Sequence, residues 1–394
     1  MKNIVIVGGG YGGISIAKEL EKQDLRNDVR ILLIEKKSHF YHTVAGLRAG
    51  VQDLDDSIFI PYSKLFTSPK NQVLHATVTR FDEKAVYLNN SLSEFGDKVE
   101  FDFLVIASGT RYPAPARVEA SGLNEGKDEI QRIRQQIGEA QSILIVGGGP
   151  VGIELAGEIR DTYNKDNKKV TLIHSQPQLG NASYMPTKVH HKLLGMMTSS
   201  NIDVLLNDKV DLPAPANEDQ KYNVVYIPSA PLPVSKQGRD LSHVDLVLMA
   251  NGNQPDAGWV EASFTALVQA DGYVKVKPTL QVDHPTLANK VFVMGDIAGL
   301  QETKLAFRTV AHASVVSANI AKLLQQPDTP ENALKHYKKG VDMMLITFGK
   351  NKGVTILPWG IVMGNWISST LKSKTLFIDR YWNELNQTPP SASK

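Results

Sequence analysis

Two stretches of this chain are copies of one another. "NIVIVGGGYGGISIAKEL" (Asn3 to Leu20) and "SILIVGGGPVGIELAGEI" (Ser142 to Ile159) stand at a constant offset of 139 residues and agree at ten of eighteen positions. Each reads as a short apolar strand, a Gly-x-Gly-x-x-Gly turn and an apolar pattern of helical period. The glycines are Gly8, Gly10 and Gly13 in the first copy and Gly147, Gly149 and Gly152 in the second. The first of each set permits a tight turn, the second lets backbone approach a pyrophosphate, and the third lets the helix pack on its strand. The start of the helix adds bare N–H groups and a partial positive charge. One such turn is often plain structure. Two in the same strand-turn-helix context imply two dinucleotide sites and an α/β chain built on two Rossmann-like units.

The end of each second strand bears on which nucleotide is taken. In "VRILLIEKK" Glu35 stands 22 residues after Gly13, where a carboxylate accepts hydrogen bonds from a ribose 2′-hydroxyl. The same count from Gly152 reaches His174, in "VTLIHSQ". A carboxylate there repels a 2′-phosphate, whereas an imidazole tolerates phosphate or hydroxyl, and Ser175 adds a hydrogen bond. The second site is therefore expected to take NADH and NADPH.

Two further segments match. "FDFLVIASGT" (Phe101 to Thr110) and "VDLVLMANGN" (Val244 to Asn253) are apolar strands ending in turns at Gly109 and Gly252, where the chain is expected to cross between domains beside a nucleotide. "NKVFVMGDIAG" (Asn289 to Gly299) ends a strand in Gly295-Asp296, which places Asp296 to accept bonds from ribityl hydroxyls. The resulting division is a split first domain (1–112 and 250–324), an inserted second domain (113–249) and a small C-terminal α+β domain (325–394).

Composition narrows the chemistry. The 394 residues carry a net charge of +2 without a basic stripe, which argues against a nucleic-acid groove. There is no cysteine, so disulfides, iron–sulfur clusters, Cys-ligated zinc and thiol nucleophiles are excluded, and no metal site is assigned. The first strand starts beside Met1, Lys2 excludes N-myristoylation, and no apolar run approaches the roughly 18 residues a spanning helix needs. The expectation is a cytoplasmic chain with room for peripheral contact at a membrane such as the mitochondrial outer face or a lipid droplet.

The order of these motifs resembles the two-dinucleotide-binding-domain flavoproteins. Within them, "FYHTVAGLRAGV" (Phe40 to Val51), "VTLIHSQ", "TKLAF" (Thr303 to Phe307) and the terminal "LNQTPP" are similar to the apoptosis-inducing-factor homologues, the branch of the ferroptosis suppressors. The resemblance implies an FAD-dependent NAD(P)H:quinone oxidoreductase. It implies FAD contacts at Gly8, Gly9, Gly10, Tyr11 and Gly12, at Arg48, at Val78 through its backbone and at Asp296. Glutathione-reductase-like enzymes carry a cysteine pair where this chain reads "HTVAGLRAG", so electrons must pass directly to a diffusible acceptor. Animal members resemble myristoylated proteins, from which Lys2 departs. Two other readings compete: a redox-sensing flavoprotein acting through protein partners, and a reductase of a protein electron carrier.

Three side chains are candidates for the reaction. Flavin reduction leaves negative charge on one ring edge. Lys304, beside a helix expected to run from near Leu305 to before Pro327, is placed to face that charge. Glu154, two residues past Gly152, is placed to reach the nicotinamide ribose or carboxamide. His42 is a candidate proton donor, with a satisfied structural histidine as the alternative. Trp359, Trp366 and Trp382 fall in the last 36 residues. A helical stripe of Val362, Met363, Trp366, Ile367 and Leu371, followed by Lys372 and Lys374, fits either a membrane-interface helix or a helix packed over the flavin. Asp211 to Asp240, rich in proline, reads as loops and a hairpin.

Overall fold

The computed structural model describes every residue except 24, 26, 165–167, 181–184, 213–224, 252, 365–374 and 391–394. Along the chain, β1 (Lys2–Val7), α1 (Tyr11–Lys22), β2 (Val29–Glu35), α2 (Thr43–Ala49), β3 (Gln72–His75) and β4 (Phe103–Ile106) form the first unit. After α3 (Leu123–Glu139), the second unit comprises β5 (Ser142–Val146), α4 (Pro150–Thr162), β6 (Lys169–His174), α5 (Thr187–Ser199), β7 (Ile202–Leu206), β8 (Val225–Tyr226) and β9 (Leu246–Met249). The chain then returns to the first unit with β10 (Val291–Val293) and α6 (Arg308–Gln325). It ends in β11 (Met344–Phe348), β12 (Lys352–Ile356), β13 (Val362–Met363) and α7 (Ile378–Glu384).

The first sheet has the order β10-β4-β1-β2-β3 and the second β8-β9-β5-β6-β7, so the glycine strand is central in both. Every pairing is parallel except β8 with β9. Such sheets are covered on both faces and need continuous apolar strands; Ile4, Val5 and Ile6 in β1 and Ile143, Leu144 and Ile145 in β5 are fully buried. The α/β architecture and the duplication expected from the repeat are both present. The two crossings between units lie side by side, Thr110–Arg111 pairing antiparallel with Gln254–Pro255.

Helix α4 is gripped from two sides. On one, Arg48 of α2 donates from Nε and Nη2 to the two oxygens of Glu158, at 2.9 and 2.8 Å, in a pair that is almost fully buried. On the other, Gly157 packs on β11 so closely that a Cβ would lie 2.7 Å from Phe348 Cα. Asp161 accepts from the Lys350 N–H at 3.2 Å at the following turn.

Two expectations need correction here. The last long helix begins at Arg308 rather than near Leu305, because the carbonyls of Leu305, Ala306 and Phe307 form the turn that receives the first helical N–H groups. The helical stripe from Trp359 does not form over its described part: Val362 and Met363 are strand β13, paired with β12. Gly360, at φ +71°, turns the chain into that pairing, and Trp359 projects into solvent at 93% exposure. Trp366, Ile367, Leu371, Lys372 and Lys374 lie outside the described residues. Between Asp211 and Asp240 the described part is loop and β8, which pairs with β9 across a long connection.

Breaking the Arg48–Glu158 pair strands a buried charge, which typically costs about 3–5 kcal/mol, whereas replacing both partners by apolar groups is far cheaper. Arg48→Leu is expected to lower unfolding free energy by about that amount. The Arg48→Leu/Glu158→Leu double variant should recover most of the loss in denaturant titration.

Candidate active site

A cleft of about 750 Å³ lies where the two units and the C-terminal sheet meet. Gly8, Gly10, Tyr11 and Gly12 of the first turn line it together with Glu35, Gly109, Asp296 and Lys304. Pro150, Val151 and Glu154, from the start of α4, open into the same space. The two glycine helices therefore deliver to one cleft, which brings together residues far apart in sequence.

The turns are built as their glycines require. Gly8 at φ +103° and Gly147 at φ +124° hold a left-handed backbone. A Cβ on Gly13 would meet Gly8 O at 1.8 Å, and one on Gly152 would meet Gly147 O at 1.9 Å. A Cβ on Gly10 or Gly149, by contrast, would have no atom within 4 Å. Those two positions border open space at the helix start, the cradle a pyrophosphate occupies, so the residues fit dinucleotides. Gly9 is different: its N–H donates to Glu35 Oε2, its carbonyl accepts from Tyr62 Oη at 2.8 Å, and a Cβ would strike that hydroxyl. Glu35 Oε1 also accepts from the Lys37 N–H at 2.9 Å, so the carboxylate is fixed in the cleft wall.

His174 takes the corresponding place in the second unit. Its ring lies against Gly148, where a Cβ would come within 2.6 Å of Cγ, much as Glu35 lies against Gly9. Burial lowers its pKa, opposed by the backbone of Gln178, and its buried Nε2 has no hydrogen-bond partner. His174, Gly147, Gly149 and Gly152 lie outside the cleft lining. Gly252 lies outside the described residues.

The structure separates the remaining candidates. Lys304 lines the cleft, its ammonium donating to Ala298 O at 2.5 Å and Leu300 O at 3.3 Å and lying 4.8 Å over the Tyr273 ring. Burial lowers its pKa, while Asp296 and Glu302 act to raise it. Glu154 reaches the cleft with Oε1 held by the Thr347 N–H and hydroxyl at 2.8 and 2.9 Å, which ties the start of α4 to β11. His42 is fully buried and outside the cleft lining. Its Nδ1 lies 2.9 Å from Tyr11 Oη and its Nε2 2.7 Å from Leu376 O. His42 thus braces Tyr11, which lines the cleft and whose hydroxyl also receives the Val44 N–H at 3.1 Å at the start of α2.

Arg48 is also outside the lining, because Glu158 draws its guanidinium to the back of α2. Val78 is buried in the core and paired with Leu88, beyond the cleft wall. Sequence reasoning missed Arg117, whose guanidinium is 3.8 Å from Asp296, and Lys37, whose ammonium donates to Val118 O and Ala120 O. Burial pushes the Lys37 pKa down to about 8. Nothing in the spacing of these residues marks them.

Residues 2–315 match the family profile described as pyridine nucleotide-disulphide oxidoreductase. The chain belongs to that family. It is similar to apoptosis-inducing factor homolog B of Dictyostelium discoideum, at 31% identity over 99% of this chain and 98% of that one. It is likewise similar to ferroptosis suppressor protein 1 of Mus musculus, at 30% over 98% and 97%. Among solved structures, the sulfide:quinone oxidoreductase of Aquifex aeolicus shares the fold at TM-score 0.69 and 17% identity, covering 99% of this chain and 93% of that one. A covalent putidaredoxin reductase–putidaredoxin complex does so at 0.64 and 19%, over 90% and 80%. This pyridine nucleotide-disulphide oxidoreductase family member is a flavoprotein that uses FAD and takes electrons from NAD(P)H. It departs from the family's name in having no cysteine.

The glycines make separable predictions. Gly152→Ala should destabilise the protein by about 3 kcal/mol through overpacking. Gly149→Ala should leave the melting temperature unchanged and weaken NADH binding about tenfold, a loss of about 1.4 kcal/mol. Thermal melts and equilibrium binding of NADH check both.

Proposed function

We propose that the protein transfers two electrons from NADH or NADPH, through FAD, to a quinone. One observation carries this reading: both glycine helices open into a single cleft in a chain without any cysteine. Bound FAD supplies the chemistry, accepting hydride from the nicotinamide and passing electrons on. The chain's part is to hold the donor and exclude alternatives. With no dithiol to receive electrons, the acceptor must enter the cleft itself. Leu305, Ala306, Met344 and Leu345 give that end of the cleft an apolar lining, suited to a flat lipophilic ring. Lys304 and the start of α6 supply positive charge there.

The apolar lining favours a quinone over a protein carrier, and the similarity to ferroptosis suppressor proteins accords with it. Contact with a membrane surface belongs to the same proposal, since lipophilic quinones reside there. Among the described residues no helix is long and apolar enough to cross a membrane. The test is rapid mixing: excess short-chain ubiquinone should reoxidise the reduced protein within the turnover time, whereas putidaredoxin-like carriers should not. Reoxidation no faster than with buffer alone would remove the quinone from the reading.

His174 sets the donor preference within this proposal. Burial keeps the ring neutral at neutral pH, and Ser175 to Gly180 bring no Lys or Arg to meet a 2′-phosphate. NADH should then be used better than NADPH at neutral pH. Because the ring's pKa is lowered, it gains charge only as pH falls below the ordinary histidine range, so the NADPH/NADH ratio of kcat/KM should rise on acidification. His174→Glu should lose NADPH use at every pH and keep NADH. A ratio that is flat with pH in the wild type would separate His174 from donor choice.

A further inference from the structure

A second polar cluster is buried beneath the Gly295-Asp296 turn, and nothing in the reaction described above uses it. Gly295 leaves β10 with φ +75°, and its N–H donates to His312 Nδ1 of α6 at 3.1 Å. Both groups are buried, so water offers no replacement for this bond. Accepting an N–H requires the lone pair on Nδ1, which leaves the ring proton on Nε2.

The other ring nitrogen meets a carboxylate. His312 Nε2 lies 2.9 Å from Glu302 Oε1, in a contact poorly aligned for a hydrogen bond. Glu302 Oε2 accepts from Tyr337 Oη at 2.5 Å and lies 3.4 Å from Arg308 Nη1. Arg308 in turn donates to Asp342 at 2.7 Å. Burial opposes the Glu302 charge, but the His312 and Tyr337 donors and the Arg308 guanidinium together hold its pKa below the ordinary value. An anionic Glu302 favours a proton on the nitrogen that faces it.

The turn faces the cofactor path. Gly295 and Asp296 line the cleft, and a Cβ on Gly295 would stand 3.9 Å from Gly12 Cα of the first glycine turn. A shift at Gly295 therefore alters the gap between the ribityl-binding aspartate and the pyrophosphate cradle.

We propose that His312 is a positioning residue for FAD: by accepting the Gly295 N–H it holds the Gly295-Asp296 turn in its cofactor-binding form, and Glu302 keeps the ring in the acceptor tautomer. Tyr337 and Asp342 come from the segment leading into the C-terminal sheet, so docking of that segment also supports the flavin turn.

The test uses the holoprotein and follows FAD release by the recovery of flavin fluorescence, alongside the denaturant midpoint. His312→Asn places a carbonyl oxygen near the position of Nδ1, whereas His312→Gln reaches past it. FAD release should stay within about twofold of wild type for Asn and accelerate about tenfold for Gln, with similar denaturant midpoints for the two. Glu302→Gln should also accelerate release, because the tautomer is no longer enforced. Equal release from the Asn and Gln variants, or release that tracks the denaturant midpoint alone, would overturn the proposal.

Discussion

At each nucleotide turn the helix sits on the end of its own strand with no room for a methyl group. The contacts of Gly13 with Gly8 and of Gly152 with Gly147 allow hydrogen at those positions and nothing larger. That seating aims the starts of α1 and α4 and leaves their first N–H groups for an anion. The parallel sheets, with the glycine strand central in each, supply the apolar platform that holds the seating in place. The single cleft follows from it, since both helix starts are directed into the space between the units.

The relative placement of those starts depends on side chains that are not part of either turn. Helix α4 is tied to the first unit by Arg48–Glu158 and to the C-terminal sheet by Thr347–Glu154 and the Gly157 contact. A buried ion pair adds little net stability, but its geometry is demanding. Here it fixes the distance between α2 of the first unit and α4 of the second. Glu154 joins the same framework while remaining in the cleft wall, so the cleft and the C-terminal sheet share one rigid element.

The repeat made the two sheets, the turns and the places of Glu35 and His174 legible, because hydrophobic period and glycine spacing are local signals. Asp296 was legible for the same reason, through a strand that ends in Gly-Asp. The roles of Arg48 and His42 were not, since each is decided by a partner that only folding brings near: Glu158 for one, Tyr11 and Leu376 for the other. The contacts of Tyr62 and Arg117 are likewise long-range, and the Glu302–His312 pair spans a turn with no periodic signal, so one sequence carries no mark of them. Val362 and Met363, at the start of the stripe after Trp359, fall in a strand rather than a helix because Gly360 and the edge of β12 offer strand pairing, a long-range choice that local period does not show.

The central claim is that electrons arriving from a pyridine nucleotide have one resting place, a flavin with no dithiol beside it. An anaerobic titration of the purified holoprotein with NADH tests this directly through the visible flavin band. The account predicts complete bleaching at one NADH per bound flavin, the capacity of a two-electron centre. A flavin that does not bleach, or that needs two equivalents because a second centre fills first, would contradict it.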